Sequence, residues 1–332
     1  MKKLLYVVLC CLLMGSCAQK VRIPTQSIGQ VNTTPIVKPS NYIYPTDSSF
    51  KIISWNVEHF VDLHDDPYIN NGREDNPPEN TNLRTSLLLK ALRMADADIV
   101  VLQEFESAKF LKQLAQDSLP NMGYLYFGDT PSLNWYMNVV VMSRFPLGLM
   151  TGYGLATTPL PGFVNEQGKA ETQNNINSRM WSVDVFPSEN YSFLLTGVHL
   201  KAGRSDRDIA MRKGQIALLT ETFNRYLAEN PRKNMLLAGD HNATPESEEI
   251  AMLTKGNTLK NHFVDTIDPT VFSHPSNAPR RRLDYILVNE NMNKEILDEG
   301  AKVVQFFSPD TMRIVSDHLP VVARFLKEDK LR

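Results

Sequence analysis

From Phe50 onward, short apolar runs recur along the chain: Lys51–Trp55, Ile99–Leu102, Val139–Met142, Phe193–Val198, Met235–Ala238, Leu283–Val288 and Leu319–Phe325. Each has the length and the β-branched and aromatic content of a strand. Two other stretches carry apolar residues at helical spacing. Leu83–Met94 repeats leucine at three- and four-residue intervals, and Asp206–Leu227 places Ile209, Ile216, Leu219 and Phe223 on roughly one face. Strands interspersed with amphipathic helices predict a mixed α/β domain. No self-similarity of fixed period runs along the chain, which argues against a solenoid or propeller. Two stretches, Asp62–Asn82 and Thr157–Asn177, are polar and proline-bearing and read as surface loops inserted between elements.

The beginning of the chain follows a different pattern. Lys2 and Lys3 precede an almost wholly apolar run, Leu4–Met14, followed by Gly15, Ser16 and Cys17. The run is too short to span a bilayer comfortably and has the layout of a signal peptide. Met14-Gly15-Ser16-Cys17 resembles a bacterial lipobox, whose cysteine becomes a lipidated first residue; an ordinary secretory signal is the alternative. Residues 1–17 are therefore expected to be a lipoprotein-type signal, residues 18–45 a polar, proline-scattered tether, and residues 46–332 the folded domain. The corresponding location is the cell envelope, membrane-anchored through lipidated Cys17 and facing the periplasm or the outside; a soluble secreted protein is the other reading. Cys10, Cys11 and Cys17 are all the cysteines there are, so cleavage before Cys17 leaves a domain without an internal disulfide. The 332 residues hold enough apolar content for a sizeable core, and the formal net charge of −2 gives no support for tight binding of duplex nucleic acid.

Polar residues of a few types recur where the strands end. Ser54-Trp55-Asn56-Val57-Glu58 follows the first run and Gln103-Glu104 the second. His199 follows Phe193–Val198, and Gly239-Asp240-His241-Asn242-Ala243-Thr244-Pro245 follows Met235–Ala238. Asp284 sits in Arg282-Leu283-Asp284-Tyr285-Ile286-Leu287, and Ser316-Asp317-His318-Leu319-Pro320 precedes the last strand. Acids and amides are poor strand and poor core residues, so this placement suits a site at the rim of a sheet. Carboxylates with amide oxygens suit a hard cation such as Mg²⁺. A further carboxylate can act on water, and a histidine steadied by a carboxylate can meet charge developing on a phosphoryl group.

These segments, in this order, resemble the endonuclease/exonuclease/phosphatase superfamily, the DNase I-like proteins. The resemblance runs over Phe50–Leu326, and Asn56-Val57-Glu58-His59-Phe60-Val61-Asp62 is similar to a segment of bacterial nuclease-like members. It implies a four-layer α-β-β-α sandwich of two mixed β-sheets flanked by helices, and hydrolysis of a phosphate ester, possible nucleic acid among the substrates, with Mg²⁺ or Mn²⁺ as cofactor. It implies Glu104 as the main metal ligand with Asn56 beside it, Asp317 and Glu58 as further metal-side acids, and Asp240 as the group that acts on water. Asn242 would hold a phosphate oxygen, His318 would contact the phosphate and be oriented by Asp284, and His199 would face the phosphate or leaving group. Asn138, Arg179, Lys201 and Arg204 are the candidate substrate contacts. His241 departs from the apolar or aromatic residue usual at its position and could touch substrate or point outward.

Each residue has a plainer reading. Asp240 could cap a helix starting near Pro245, Asp284 could pair with Arg281 or Arg282, Asp317 could be a turn residue, and His199 a satisfied buried histidine. Lys201 and Arg204 could be solvated charges. Trp135 and Tyr136 could stack on a base or pack in the core. Three functions remain open: a nuclease-like phosphodiesterase, an inositol-phosphate phosphatase or sphingomyelinase-type phospholipase, and a binding protein that kept the fold without catalysis. No protein partner is evident.

Overall fold

The computed structural model describes residue 38 and residues 41–131, 135–255 and 262–330. The signal-type segment, Cys17 and most of the expected tether lie outside the described residues. The elements in chain order begin with β1 (Ser49–Phe60), α1 (Thr81–Ala95), β2 (Ile99–Phe105), α2 (Ala108–Ser118), β3 (Tyr126–Gly128), β4 (Asn138–Ser143), β5 (Leu147–Gly152), β6 (Thr158–Val164), β7 (Ala170–Gln173) and β8 (Met180–Ser188). They continue with β9 (Tyr191–His199), α3 (Asp206–Glu229), β10 (Asn234–Asp240), α4 (Glu248–Thr254), β11 (Phe263–Asp265), β12 (Asp284–Asn289), α5 (Glu290–Asn293), β13 (Lys302–Val303), α6 (Pro309–Val315) and β14 (Val321–Leu326).

Two six-stranded sheets form, in the orders β13-β14-β1-β2-β4-β3 and β11-β12-β10-β9-β8-β5. Each is mixed: β1 runs parallel to β2, and β9 parallel to β10, while the other pairs are antiparallel. Strand parity sorts their apolar residues. Phe50 and Ile52 of β1 pack with Leu195 of β9, Ala238 of β10 and Ile286 of β12 between the sheets. The alternate residues Ile53, Trp55 and Val57 turn outward onto α1, α2 and α6, through Leu88, Leu92, Leu111 and Met312. On the other sheet, Leu194, Leu237 and Leu287 face Ile216, Leu219 and Phe223 of α3 and Ile250 of α4. The result is the four-layer α-β-β-α sandwich that the resemblance implies. The helix over Asp206–Glu229 starts where a capping box closes it, with Ser205 and Asp208 each bonded to the other's backbone.

The same parity determines where chemistry can sit. Along the inward face, apolar residues give way at one end of the sandwich to Asn56 on β1, His199 on β9, Asp240 on β10 and Asp284 on β12. Register brings them together, since Asp240 pairs with His199 on one side and with Asp284 on the other.

Asp62–Asn82 is irregular up to the start of α1, as expected for a loop. Thr157–Asn177 is not a loop: β6 and β7 make a separate two-stranded hairpin there. Thr158 and Leu160 are buried, Leu160 against Ala210 and Met211 of α3, while Pro159 and Pro161 lie exposed. A proline on the outward side of a strand leaves no buried donor unpaired, which is why the prolines do not break this one. The strand expected to begin at Arg179 is β8, although Ser182 and Asp184 interrupt its apolar run. Both are buried, with Ser182 bonded to Thr196 and to Tyr153, and Asp184 to Lys233.

Candidate active site

Glu104 reaches the site through backbone irregularity. On a regular β2 it would share the outward face of Leu102. Instead its φ is +57°, and the β1–β2 register shifts between Asn56 and Phe60, where Glu58 and His59 also have φ of +50°. Left-handed non-glycine residues are strained by about 1–3 kcal/mol each, and their clustering here marks a bulge that re-aims side chains. Asn56 Nδ2 donates to Glu104 Oε1 at 3.2 Å and to Asp240 Oδ2 at 3.0 Å, so one amide bridges the two carboxylates. Its Oδ1 accepts from the backbone of Glu58. The other oxygen of Glu104 accepts from the His59 backbone at 3.0 Å.

Asp240 is 1% exposed. Its Oδ1 accepts from the backbone of Asn242, a residue with φ of +51°, at 2.8 Å. Its Oδ2 lies 3.8 Å from His318 Nε2 and 3.9 Å from His199 Nε2. His318 follows α6 and is tied to β1: its backbone N–H bonds Ser316 Oγ, Ser316 bonds the Asn56 carbonyl, and the Trp55 indole donates to the His318 carbonyl. His318 Nδ1 lies 2.8 Å from Asp284 Oδ2, which also accepts from Ser273 Oγ. His318 can therefore face Asp284 with one nitrogen and Asp240 with the other.

These contacts fix the direction of each proton equilibrium. Burial opposes charge on His318, but Asp284 and Asp240 outweigh it and raise the imidazole to about 10. Burial, together with Asp284, pushes Asp240 up to about 7 against His318 and its amide donors. His199 is held down at about 4 by burial and by Arg179, against the pull of Glu104, so it is neutral at neutral pH. Burial pulls Glu104 upward, and His199, His59 and Asn56 more than offset this, leaving it below the usual carboxylate value.

The structure thus gathers Asn56, Glu104, His199, Asp240, Asn242, Asp284 and His318. The capping alternative for Asp240 falls away, because α4 is capped by Ser247. Asp284 does not pair with its arginines: Arg282 turns to Asp265, and Arg281 donates to His274 Nδ1. Arg179, at the foot of β8, is a largely buried guanidinium that feels Glu104 and Asp240 electrostatically without forming an ion pair with either. Asn138 donates to the carbonyls of Glu106 and Trp135, leaving a buried Oδ1 without a partner.

Other expected residues are engaged elsewhere. Glu58, expected on the metal side, directs its carboxylate to Arg313 of α6 in a two-pronged pair at 2.5 and 3.2 Å. Lys201 pairs with Asp208 at 2.9 Å, and Arg204 lies exposed before α3. His241 is fully buried, set edge-on against Tyr285 at 4.9 Å and pushed down to about 4 by burial, so it neither touches substrate nor points outward. Tyr136 is packed against Val61 and Ile69, which excludes it as a stacking platform.

Two histidines missed in the sequence complete the cluster. His59 lies with Nε2 3.6 Å from Glu104 and Nδ1 2.6 Å from the Tyr136 hydroxyl. His274 accepts from Arg281 Nε at 3.1 Å, which leaves its Nε2 protonated toward Asp317 Oδ2 at 3.3 Å. Despite burial, His274 and His318 hold Asp317 at about 2. The only sequence signal for either histidine was its proximity to a motif.

A two-sheet sandwich with acids, amides and histidines converging at one end of its core defines a DNase I-like architecture. The chain matches the model of the Endonuclease/Exonuclease/phosphatase family over residues 53–318 and belongs to that family. Among proteins of curated function, none matches the chain. Solved structures with this fold include the human Nocturnin catalytic domain with bound sulfate anion, at 17% identity and TM-score 0.53, covering 84% of this chain and 94% of that one. TDP2 from D. rerio in complex with a single strand DNA product aligns at 17% identity and TM-score 0.54, over 84% of this chain and 99% of that one. The endonuclease/exonuclease/phosphatase from Bacteroides vulgatus aligns at 15% identity and TM-score 0.54, over 85% and 100%.

Proposed function

We propose that this chain is a divalent-metal-dependent phosphoester hydrolase, a nuclease-like phosphodiesterase that activates water. The observation that carries the reading is Asp240, a buried carboxylate with Asn56 on one oxygen and the Nε2 atoms of His318 and His199 within 3.9 Å of it. Burying so many ionisable groups together destabilises a fold unless they are paired or used, so a pure binding module has no reason to keep them. The human Nocturnin domain holding sulfate and D. rerio TDP2 holding a single strand DNA product support a phosphate-bearing ligand for this fold.

The donor set fits a hard cation. Glu104 is a carboxylate held below its usual value, bridged by the Asn56 amide to the Asp240 carboxylate, and a positive ion there would also relieve the cost of ionising Asp240. Mg²⁺ or Mn²⁺ held by Glu104, with Asn56 and Asp240 alongside and Asp317 beyond His318, would supply Lewis-acid polarisation of a phosphoryl oxygen. Asp240, Asp284 and His318 also have ligand atoms within 4.8 Å of one another. The 2.8 Å contact between His318 Nδ1 and Asp284 supports a charge-stabilising role for that pair instead of ligation.

In the reaction Asp240 orients a water and accepts its proton as the water oxygen attacks phosphorus and the ester P–O bond breaks. His318, kept cationic by Asp284, stabilises the negative charge that grows on the phosphoryl oxygens. Neutral His199 can donate one N–H to the same group, Asn242 offers its amide beside Asp240, and Arg179 adds a fixed positive charge.

The test is turnover by purified protein with Mg²⁺ or Mn²⁺, against EDTA, on bis-(p-nitrophenyl) phosphate, plasmid DNA, single-stranded DNA, RNA, inositol polyphosphates and sphingomyelin. EDTA-sensitive hydrolysis of the diester and of a nucleic acid, lost in Asp240→Asn, is expected. Cleavage confined to inositol phosphates or sphingomyelin would move the assignment to the phosphatase or phospholipase branch. Silence on every substrate would overturn it.

A further inference from the structure

The insertion between β1 and α1 carries acids that the proposed reaction does not use. Asp65, Glu74 and Asp75 place carboxylate oxygens within 4.8 Å of one another. Asp65 and Asp75 are exposed, whereas Glu74 is 1% exposed. Glu74 Oε1 accepts from the backbone of Asp66 at 2.7 Å, but its other oxygen, Oε2, is buried with no hydrogen-bond donor. Among the described residues, no lysine, arginine or histidine forms an ion pair with Asp65, Asp66, Glu74 or Asp75. A buried carboxylate close to two further carboxylates without an ion-pair partner is unfavourable, and a cation bound among them relieves that cost.

We propose that this insertion is a second metal site, in which Asp65, Glu74 and Asp75 bind a calcium-class cation separate from the ion at Glu104. The donors are all hard oxygens, with no nitrogen or sulfur among them, which disfavours zinc. Calcium accepts irregular geometry and six to eight oxygens at about 2.4 Å, so its ligands lie within about 5 Å of one another, as these do. Magnesium demands a stricter octahedron and uses fewer protein carboxylates. The exposed sides of Asp65 and Asp75 leave room for waters to complete the shell.

The loop also touches the active-site wall. Ile69, inside the same insertion, packs with Val61 and Tyr136, and the Tyr136 hydroxyl meets His59 beside Glu104. A cation that fixes the loop therefore also fixes the support of His59.

The test uses the full chain carrying Glu104→Gln, which removes the proposed catalytic ligand and keeps this site distinct from that one. Calorimetric titration with calcium should show uptake that Glu74→Gln abolishes and that Asp75→Asn weakens tenfold or more. Asp75 is exposed, so its variant leaves packing intact and reads binding even if the Glu74 variant misfolds. Calcium should also slow trypsin cleavage after exposed Arg73 at least fivefold in the parent and leave it unchanged in the Glu74 variant. No calcium uptake at about 1 mM, the weak end for extracellular calcium modules, would overturn the proposal. So would uptake undiminished by both substitutions, or cleavage after Arg73 that calcium does not change.

Discussion

His318 is held between two carboxylates, 2.8 Å from Asp284 and 3.8 Å from Asp240, and this makes it more than a positioned ring. Its charge makes ionised Asp240 tolerable in a buried place, and Asp240 in turn helps keep it charged. Groups that depend on one another lose their effects together. Asp240→Asn and His318→Ala should each lower turnover about a thousandfold, with the double variant little worse than the poorer single one. Single-turnover kinetics on the best diester checks this, and additive losses would show that the residues act independently. Protonation gives a second readout. Asp240 binds its proton more tightly folded than unfolded, at about 7 against an ordinary carboxylate value of about 3.9. A native state that binds more protons loses stability as pH rises, here between about pH 4 and 7. In EDTA, Asp240→Asn should therefore melt above the parent at about pH 8, and the gap should close towards about pH 4. Scanning calorimetry at both pH values decides it, and a gap that does not vary with pH would remove the assigned burial cost. The side chains that the structure gathers were legible in sequence because acids and amides at strand ends are rare enough to stand out. His59 and His274 were not, because each is given its role by a partner from elsewhere in the chain: Glu104 and Tyr136 for one, Asp317 and Arg281 for the other.

At the level of elements, the bulge at the end of β1 and β2 sets the site's geometry. Its strained residues Glu58, His59 and Glu104 need something to hold them. Arg84 of α1 supplies it, donating from one buried guanidinium nitrogen to the carbonyls of Val57, Glu58 and Val315 at 2.8, 2.6 and 3.0 Å. One side chain thus ties the bulge and the end of α6, which leads into His318, to the same helix. Arg84→Met keeps the apolar stem but strands three carbonyls, and should cost about 3 kcal/mol by urea unfolding while also lowering turnover through misplacement of Glu104 and His318. Full stability in that variant would mean that the bulge supports itself. Long elements such as α3 were legible from periodicity, and the inner strands from their apolar runs. The bulge was not, because a left-handed Glu104 leaves no mark on spacing. The β6–β7 hairpin was hidden too, since its apolar burial rests mainly on Leu160 among exposed prolines and comes from α3, later in the chain.

On the scale of the whole molecule, the two ends of β1 face different tasks. Ser49 pairs with Leu326 of β14 at one end, whereas Asn56 lies in the candidate site at the other. At about 3.3 Å per strand residue, some seven residues put about 23 Å between them. The chain therefore enters the sandwich at the end away from the chemistry. We propose, from the sequence alone, a lipid at Cys17 on a tether over residues 18–45. Four layers could not be deduced from composition or periodicity. They were legible only through the order of the six motif segments, because sheet pairing between segments as distant as β1 and β14 is decided by the packing of the whole. The anchor and the catalytic machinery should then be separable. Cys17→Ser should move the protein out of the membrane fraction or leave its leader unprocessed, while metal-dependent turnover of a small soluble diester by the purified domain stays at the parent level. Cell fractionation with immunoblotting reads the first and a kinetic assay the second. Unchanged fractionation and processing would remove the lipid from Cys17, and lost turnover would mean that the anchor segment takes part in the site.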